Sequence, residues 1–310
     1  MYPRQSAEET ITMLKHTCLT PIRPGRVVVL GGSGFIGKHL MKEIEFSGVE
    51  ACGISSSSLD LTATGAIPAL AEMVRRDDTL VFAACLTRDK GDNLPTLMKN
   101  LAMAENVGLF LENHGCAHLI YLSSDAVYKD GISLVREDSP CEAGGLYSLA
   151  QLAREKMMSH AAGKAGIPLA ILRPCGVYGF GDTHNGYGPN RFLRTAVSQE
   201  TISLFGQGEE TRDHIFVGDV CRLIRLCAEH VSTGTLNLAT GRAYSFAEVA
   251  ELVSRAVAKA VKIEHMPRRG PVTHKHFDIT ATLKAFPTVS FACLEEGLEK
   301  TIREMPGQLG

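Results

Sequence analysis

The stretch RVVVLGGSGFIG, residues 26–37, decides how this chain folds. It opens with a short apolar, β-branched run, and glycines follow at G-x-x-G-x-x-G spacing as Gly31, Gly34 and Gly37. Glycines there let the backbone turn sharply and approach a pyrophosphate, whose charge the N-terminus of the next helix stabilises. The stretch therefore predicts a strand, a tight turn and a helix, the start of a dinucleotide-binding βαβ unit.

Outward from this stretch, strand-like runs alternate with helical patterns. The strand-like runs span residues 49–54, 80–84, 118–123 and 168–172, and the helical patterns span residues 98–112 and 147–162. Strands that alternate with helices of this length are typical of βαβ units and a parallel sheet. We therefore expect an α/β fold with a Rossmann-type doubly wound parallel sheet and ligands at the carboxyl ends of its strands.

The character of the chain changes after Pro174, where residues 176–189 are rich in Gly, Asn and Pro. We predict an N-terminal helical extension (1–24), a dinucleotide-binding domain (25–175) and a smaller mixed α/β substrate domain (176–310), with 215–243 returning to the first sheet. The extension is predicted to be helical because Ser6 and Glu9 form an S-x-x-E capping box. The apolar residues Ile11, Leu14 and Cys18 follow at helical spacing.

Composition excludes several classes of function. The 310 residues carry a net charge of -2 without a long block of one sign, so a nucleic acid or an anionic membrane has no electrostatic support as a partner. The nine scattered cysteines form no CxxC pair, which argues against a metal site. Scattered thiols favour reduced cysteines and a cytoplasmic location. We expect no signal peptide, and no stretch approaches the roughly 20 apolar residues of a membrane span.

Further sequence motifs follow the glycine turn and are spread over most of the chain. In order, they are Asp60-Leu61, VFAA (81–84), Asn100, YLSSDAVY (121–128), Tyr147, LRPCGVYG (172–179), GQGEETRDHIFVGDV (206–220) and RRGPV (268–272). Together with the glycine turn, they resemble the extended short-chain dehydrogenases/reductases. The resemblance is to the branch of NAD-dependent epimerases and dehydratases that act on nucleoside-diphosphate (NDP) sugars.

The resemblance implies a role for individual residues. The catalytic set would be Ser124, Asp125, Tyr147 and Gln151. The residues that would contact the cofactor are Gly31, Ser33, Gly34, Phe35, Ile36, Gly37, Ser55, Ser56, Asp60, Leu61, Ala83, Ala84, Asn100, Tyr147, Gln151 and Pro174. We expect NADP somewhat in preference to NAD, because serines rather than an acid follow the second strand. An NDP-sugar would contact Ser124, Asn190, Arg212 and Arg268. Two guanidinium groups suit the oxygens of a diphosphate.

One departure from the family concerns the catalytic helix. The family pattern Tyr-x-x-x-Lys reads Tyr147-x-x-x-Gln151 in this chain, and residues four apart share a helix face. A lysine there would bind the nicotinamide ribose and lower the tyrosine pKa, whereas glutamine carries no charge. We therefore expect slow turnover at neutral pH unless another cation, Arg154 or Lys156, takes the place of the lysine.

Two smaller departures narrow the reaction. Gly176 stands where the family often has Asn before the VYG motif, which removes one possible substrate contact. Ala126 stands where the resembling 4,6-dehydratases carry Glu, and elimination of water needs that second acid/base group. The expected activity is therefore an NAD(P)-dependent nucleotide-sugar epimerase that acts through a transient 4-keto intermediate. An NDP-4-keto-sugar reductase and a catalytically degenerate cofactor- or sugar-binding protein remain alternatives.

The same resemblance implies an oligomeric state. Helices over residues 98–112 and 147–162 resemble those that pair across a two-fold axis in the family, so we expect a homodimer. His274 and His276 alternate in a way that fits an exposed strand, and we expect no metal there.

Overall fold

The computed structural model describes residues 13–257, 260–268 and 270–305. Its strands, in chain order, are β1 (Lys15–His16), β2 (Arg26–Leu30), β3 (Glu50–Ile54), β4 (Thr79–Phe82), β5 (His118–Leu122), β6 (Leu134–Val135), β7 (Leu169–Pro174), β8 (Gly176–Tyr178), β9 (Thr201–Phe205), β10 (Thr211–Phe216), β11 (Ser232–Leu238), β12 (Ala243–Ser245), β13 (Lys262–Met266) and β14 (His274–Phe277). Its α-helices are α1 (Phe35–Phe46), α2 (Ala66–Met73), α3 (Leu94–Asn113), α4 (Leu146–Ala165), α5 (Pro189–Gln199), α6 (Val217–Glu229), α7 (Phe246–Ala256), α8 (Thr280–Ala285) and α9 (Leu294–Arg303).

The expected parallel sheet is confirmed. Its strands are arranged in the order β1-β11-β7-β5-β4-β2-β3, and all neighbours from β11 to β3 run parallel. The chain passes from β2 outward to β3 and then returns to the other side of β2 as β4. The order of the strands therefore reverses at β2, and ligands of open α/β sheets bind at the carboxyl ends of strands at such a point.

The first described segment departs from the prediction. We expected a helix that continues through Cys18, but Lys15 and His16 form β1, which pairs antiparallel with Ser232 and Thr233 of β11. The capping box at Ser6 and Glu9 lies outside the described residues. Pairing with an open sheet edge satisfies the backbone groups of this segment, so tertiary contact prevails over the local helical pattern.

The central strands are buried on both faces because helices cover both. On β2, Val27 and Val29 belong to one apolar cluster, and Val28 and Leu30 belong to the other. Successive side chains of a strand point to opposite faces, so one short run supplies both cores. This is why the run RVVVL is continuously apolar rather than alternating.

The second half of the chain adds smaller sheets beside the first. One has the order β12-β10-β14-β6, with β8 also pairing with β10, and the other joins β13 to β9. β11 lies within the range 215–243 and pairs with β7 in the large sheet. The two halves thus exchange strands, since β6 from the first half joins the smaller sheet and β11 from the second half joins the large one. The strand β10 runs directly into α6.

Candidate active site

The turn after β2 is built on close backbone contacts. Gly31 has a φ of +91°, and a Cβ on it would lie 2.8 Å from the Ala84 backbone nitrogen. A Cβ on Gly37 would lie 2.1 Å from the Gly31 carbonyl oxygen. The first turn of α1 therefore packs directly on the loop, and its free N–H groups face the carboxyl end of the sheet.

Gly34 differs from these two glycines. Its φ is −72°, and the nearest atom to a Cβ placed on it is the Gly31 oxygen at 3.2 Å. Gly34 also lines a cavity of about 520 Å³ at the carboxyl ends of the strands. A side chain at Gly34 would require the Gly31 carbonyl to shift by a few tenths of an ångström and would occupy space at the N-terminus of α1.

This cavity collects the central part of the predicted site. The predicted residues that line it are Gly31, Gly34, Phe35, Ile36, Gly37, Ala83, Ser124, Asp125, Tyr147, Gln151, Pro174 and Asn190. They come from β2, α1, β4, β5, α4, β7 and α5 or from the segments that follow these elements. The structure therefore brings the glycine turn, the predicted catalytic residues and two of the four predicted substrate contacts, Ser124 and Asn190, to one cavity.

Other predicted residues do not line this cavity, and several have roles in the protein itself. They are Ser33, Ser55, Ser56, Asp60, Leu61, Ala84, Asn100, Arg212 and Arg268. The Ser55 hydroxyl hydrogen-bonds to Ser57 at 2.7 Å, and Asp60 accepts from Thr62. Asn100 is buried and bonds both backbone groups of Leu86 at 2.9 Å, so it positions the loop after β4.

Tyr147 lies in the first turn of α4. Its backbone N–H donates to Asp92 at 3.1 Å, which fixes the start of the helix. Burial raises the pKa of Tyr147 above its ordinary value, and Cys85 nearby adds to this effect, whereas a hydrogen bond with Ser124 and the charge of Arg154 lower it. Tyr147 is therefore a neutral phenol at neutral pH in the protein without ligands.

Ser124 follows β5 and caps the short 3-10 helix Asp125–Val127 by accepting from the Ala126 N–H at 3.2 Å. Asp125 points elsewhere, since its carboxylate accepts from the Lys275 ammonium at 2.8 Å. Ser124 thus lies within hydrogen-bond reach of Tyr147, and Asp125 is paired with a lysine from the second half of the chain. Lys275 was not anticipated by the sequence analysis.

Gln151 is almost fully buried at 1% exposure. Its Oε1 accepts from the Tyr121 hydroxyl at 3.0 Å and lies 3.4 Å from Arg154 Nη1, while its Nε2 lies 3.5 Å from the Tyr147 hydroxyl. Arg154 is completely buried beneath it, whereas Lys156 is exposed. The structure therefore puts Arg154, and not Lys156, near the place of the family lysine.

The two arginines predicted to grip a diphosphate flank one carboxylate. Glu210 lies 3.8 Å from Arg212 and 3.5 Å from Arg268. Arg212 lines a second, polar cavity that shares Arg88, Asp125 and His214 with the first, whereas Arg268 does not line it. Arg268 also pairs with Glu209, so a substrate anion would have to compete with these acids for its guanidinium.

His214 is a cavity residue that the sequence analysis missed. It is 7% exposed, lines both cavities, and its Nε2 has no hydrogen-bond partner among the described residues. Burial lowers the pKa of His214 to about 4, so the ring is neutral. A Cβ on Gly176 would lie 2.9 Å from its Nδ1. The imidazole therefore occupies the space that the Asn of the family would need. Gly176 in place of that Asn, together with the histidine in RDHIF, was the sequence feature that could have indicated this contact.

Other polar candidates have structural explanations. Asp213 accepts from the backbone N–H groups of Thr240 and Gly241, and Asp219 accepts from Ala292. His274 and His276 lie on β14, and both bond the Thr211 hydroxyl. Within residues 13–257, 260–268 and 270–305, no group of three or more metal-ligating side chains occurs. In the same ranges, no helix is long and apolar enough to cross a membrane.

Comparison with known proteins agrees with this geometry. The family model for the NAD dependent epimerase/dehydratase family matches residues 27–239. A GDP-6-deoxy-D-talose 4-dehydrogenase of Aggregatibacter actinomycetemcomitans is 28% identical over 74% of this chain and 79% of its own length. A UDP-N-acetyl-alpha-D-glucosaminuronate decarboxylase of Bacillus cytotoxicus is 25% identical over 90% of this chain and 97% of its own.

A solved structure shows the same fold. It is the UDP-glucose 4-epimerase of Thermus thermophilus in complex with NAD, which is 22% identical and has a TM-score of 0.77. The alignment covers 89% of this chain and 97% of that one. The chain therefore belongs to the NAD-dependent epimerase/dehydratase family of extended short-chain dehydrogenases/reductases, as the motifs predicted.

The contact between Gly176 and His214 gives a test of this departure from the family. Gly176→Asn should lower the free energy of unfolding by about 1–3 kcal/mol, because the new side chain overpacks the buried ring. In a His214→Ala background, the same substitution should cost less, since the obstructing ring is gone. Urea denaturation of the four proteins measures the coupling, and additive effects would mean that the two positions do not compete for space.

Proposed function

We propose that this protein is an NAD(P)-dependent nucleotide-sugar epimerase that acts through a transient 4-keto intermediate. The observation that carries the proposal is that Tyr147 and Ser124 line the same cavity as the glycine turn. Cofactor binding and proton transfer can therefore take place side by side. The family includes relatives named as dehydrogenases, decarboxylases and epimerases, so the side chains at the site must determine which of these reactions takes place.

The residues of the turn fit a dinucleotide. Gly34 leaves the space in front of α1 free of side chain, and the N–H groups of its first turn suit a pyrophosphate. When bound, the nicotinamide supplies the acceptor and later the donor of a hydride. Arg88 cannot at the same time serve a ribose 2′-phosphate near Ser55, because it lies over the Tyr147 ring at 5.4 Å. Lys38 is then the remaining candidate for NADP, which we retain as the preferred form over NAD.

The protein performs the proton transfer. Once ionised to the phenolate, Tyr147 takes the proton from a sugar hydroxyl and becomes the phenol that returns it later, and Ser124 donates a hydrogen bond to the reacting oxygen. Epimerisation requires that the sugar present its opposite face before it is reduced again, so the pocket must hold the diphosphate while the sugar turns. Arg212 borders the second cavity and is suited to this anchoring role.

Two alternatives follow from specific features. A 4-keto-sugar reductase would use the same Tyr147 and Ser124, and Ala126 argues against a 4,6-dehydratase but not against a reductase. A degenerate binding protein is favoured by neutral Gln151 in place of the lysine. The retained tyrosine, serine and arginines support the enzyme.

The nine unpaired thiols support the expected cytoplasmic location.

Cofactor binding is tested at Gly34. Gly34→Val should abolish binding of NAD and NADP, because the branched side chain enters the space of the pyrophosphate, while a shift of a few tenths of an ångström at the Gly31 carbonyl accommodates its Cβ. Isothermal titration with each cofactor measures the loss and also shows which of the two the parent prefers. Gly163→Ala is the matched control, since its Cβ meets nothing within 4 Å. Undiminished affinity in folded Gly34→Val would contradict the assignment of the turn.

Substrate binding is tested at the arginines. Arg212→Ala and Arg268→Ala should each weaken binding of intact UDP- or GDP-sugars about ten- to a hundredfold, because charge-assisted hydrogen bonds are worth roughly 1.5–3 kcal/mol. Affinity for NAD(P) should stay unchanged. Arg303→Ala, on the exposed side of α9, is the control for loss of positive charge. Equal affinity of the parent and both variants for every NDP-sugar would argue that the second half binds something else.

We also propose a homodimer formed through α3 and α4. These helices carry exposed large apolar side chains, including Met98 at 60%, Leu109 at 39% and Leu149 at 44%. A second copy of the chain would cover them. Light scattering at micromolar protein should give twice the mass of 33.5 kDa, and Met98→Glu combined with Leu149→Glu should give the monomer. A monomeric parent would contradict the proposal.

A further inference from the structure

Arg154 is a buried cation whose hydrogen-bond acceptors are all neutral. Its guanidinium donates to the Ala84 carbonyl at 2.6 Å, and to the amide oxygens of Asn100 and Gln151 at 3.4 Å each. It also lies over the rings of Phe82 and Tyr121 at 4.5 and 5.3 Å. The groups that act most strongly on its charge are Tyr121, Cys85 and Tyr147, which are two phenols and a thiol rather than carboxylates. A buried charge without a counter-ion is costly, so its retention calls for an explanation.

The neighbours of Arg154 fix the orientation of Gln151. Oε1 of Gln151 faces three donors, namely Tyr121, Arg154 and the Cys85 thiol at 3.8 Å. The amide could not be reversed without pointing its NH₂ group at the guanidinium, which has no acceptor. Nε2 must therefore face the Tyr147 hydroxyl, where it lies at 3.5 Å.

Two hydrogen bonds in series thus form a line from the guanidinium of Arg154, through the Gln151 amide, to the hydroxyl of Tyr147. An amide whose oxygen accepts from a cation is a stronger donor through its nitrogen, because hydrogen bonds in series polarise one another. We propose that Arg154 supplies the positive charge of the missing lysine and acts through the Gln151 amide to stabilise the ionised form of Tyr147. This inference rests on the proposed role of Tyr147 as the proton-transfer group. Arg154 is a positioning residue, since it lines neither cavity.

Other groups that could respond to the charge of Arg154 are neutral. Burial raises the pKa of Tyr121 and of the Cys85 thiol, and Tyr121 already donates to Gln151. Among the other elements packed around Tyr147, the charge of Asp125, which follows β5 and pairs with Lys275, raises the pKa of Tyr147, and Arg88 lies over its ring. Asp92 accepts from the backbone N–H of Tyr147. Among these residues, Arg154 is the cation that is shielded from solvent, so its effect is the least screened.

The arrangement also accounts for the glutamine itself. Oε1 of Gln151 lies 3.4 Å from the Arg154 guanidinium, so a lysine at position 151 would bring a second buried cation close to it, and like charges shielded from solvent repel strongly. Lysine at 151 and arginine at 154 therefore exclude each other. The positive charge is thus provided by Arg154, three residues after position 151 on the same helix.

The ionisation of Tyr147 can be measured without substrate or cofactor. We would replace Tyr147 by 3,5-difluorotyrosine, whose phenol is far more acidic and titrates while the protein is folded, and follow its ¹⁹F shift with pH. Arg154→Met should raise the midpoint by about one to three pH units, as expected for loss of a nearby opposite charge. Arg154→Lys should recover part of this shift, and Gln151→Leu should also raise the midpoint because it breaks the line. Arg88→Met, an exposed cation, should change it less.

Two outcomes of this titration would overturn the proposal. One is an unchanged midpoint in either Arg154→Met or Gln151→Leu, and the other is an equal shift in Arg88→Met, which would make the effect one of general charge. Because no ligand is present, the titration stands even if the protein proves to have a different substrate. Failure of the proposed function would appear instead as absent NDP-sugar binding with an intact shift.

Exchange of the two side chains provides a second measurement, which remains informative if Arg154→Met alone unfolds. Gln151→Lys should lower the melting temperature, because it adds a second buried cation. Gln151→Lys combined with Arg154→Met should recover most of that loss and restore a low Tyr147 midpoint. If Gln151→Lys alone is as stable as the parent, or if the double variant is no better than the single one, the two cations do not exclude each other and the proposal is wrong.

Discussion

The site depends on how closely α1 approaches the turn after β2. The Gly37 backbone packs so tightly on the Gly31 carbonyl that even one methyl group would lie 2.1 Å from it. On its other side, Gly31 meets Ala84 in the loop that follows β4. These contacts fix the N-terminus of α1 at the point where the strand order reverses, so the partial positive charge of the helix is directed at the cavity. A larger residue at either glycine would separate the helix from the sheet.

A buried ion pair holds the other wall of the site. Arg173 on β7 and Glu155 on α4 pair at 2.7 Å with side-chain exposures of 3% and 7%. Glu155 also accepts from Ser123, next to Ser124. Arg173 donates further to the Tyr128 hydroxyl, which in turn donates to Asn237 of β11. One network therefore ties the helix that carries Tyr147 to the sheet and to the segment that carries Ser124. Loss of either charge would leave the other buried and unpaired.

The parts of the site that the sequence predicted are those encoded by local patterns. Gly31, Ser124 and Tyr147 each stand in a motif whose neighbours define its position on a turn, a strand end or a helix. Gln151 was recognised as a departure for the same reason. His214 and Lys275 were not predicted, and the sequence offered Arg154 only as an alternative to Lys156, because each of these residues acquires its role from partners far along the chain. Arg154 offers the clearest example, since its contact with Ala84 joins residues 70 apart.

The sequence by itself determined the parallel α/β sheet, the glycine turn and the family. These features follow from periodicity, backbone freedom and hydrogen bonds within a few residues. Only the tertiary structure decided that the segment around Lys15 is a strand, that Glu210 lies between Arg212 and Arg268, and that a buried arginine stands behind Gln151. Such features depend on which open edge, carboxylate or cavity the rest of the fold brings near, because burial and charge act through space rather than along the chain.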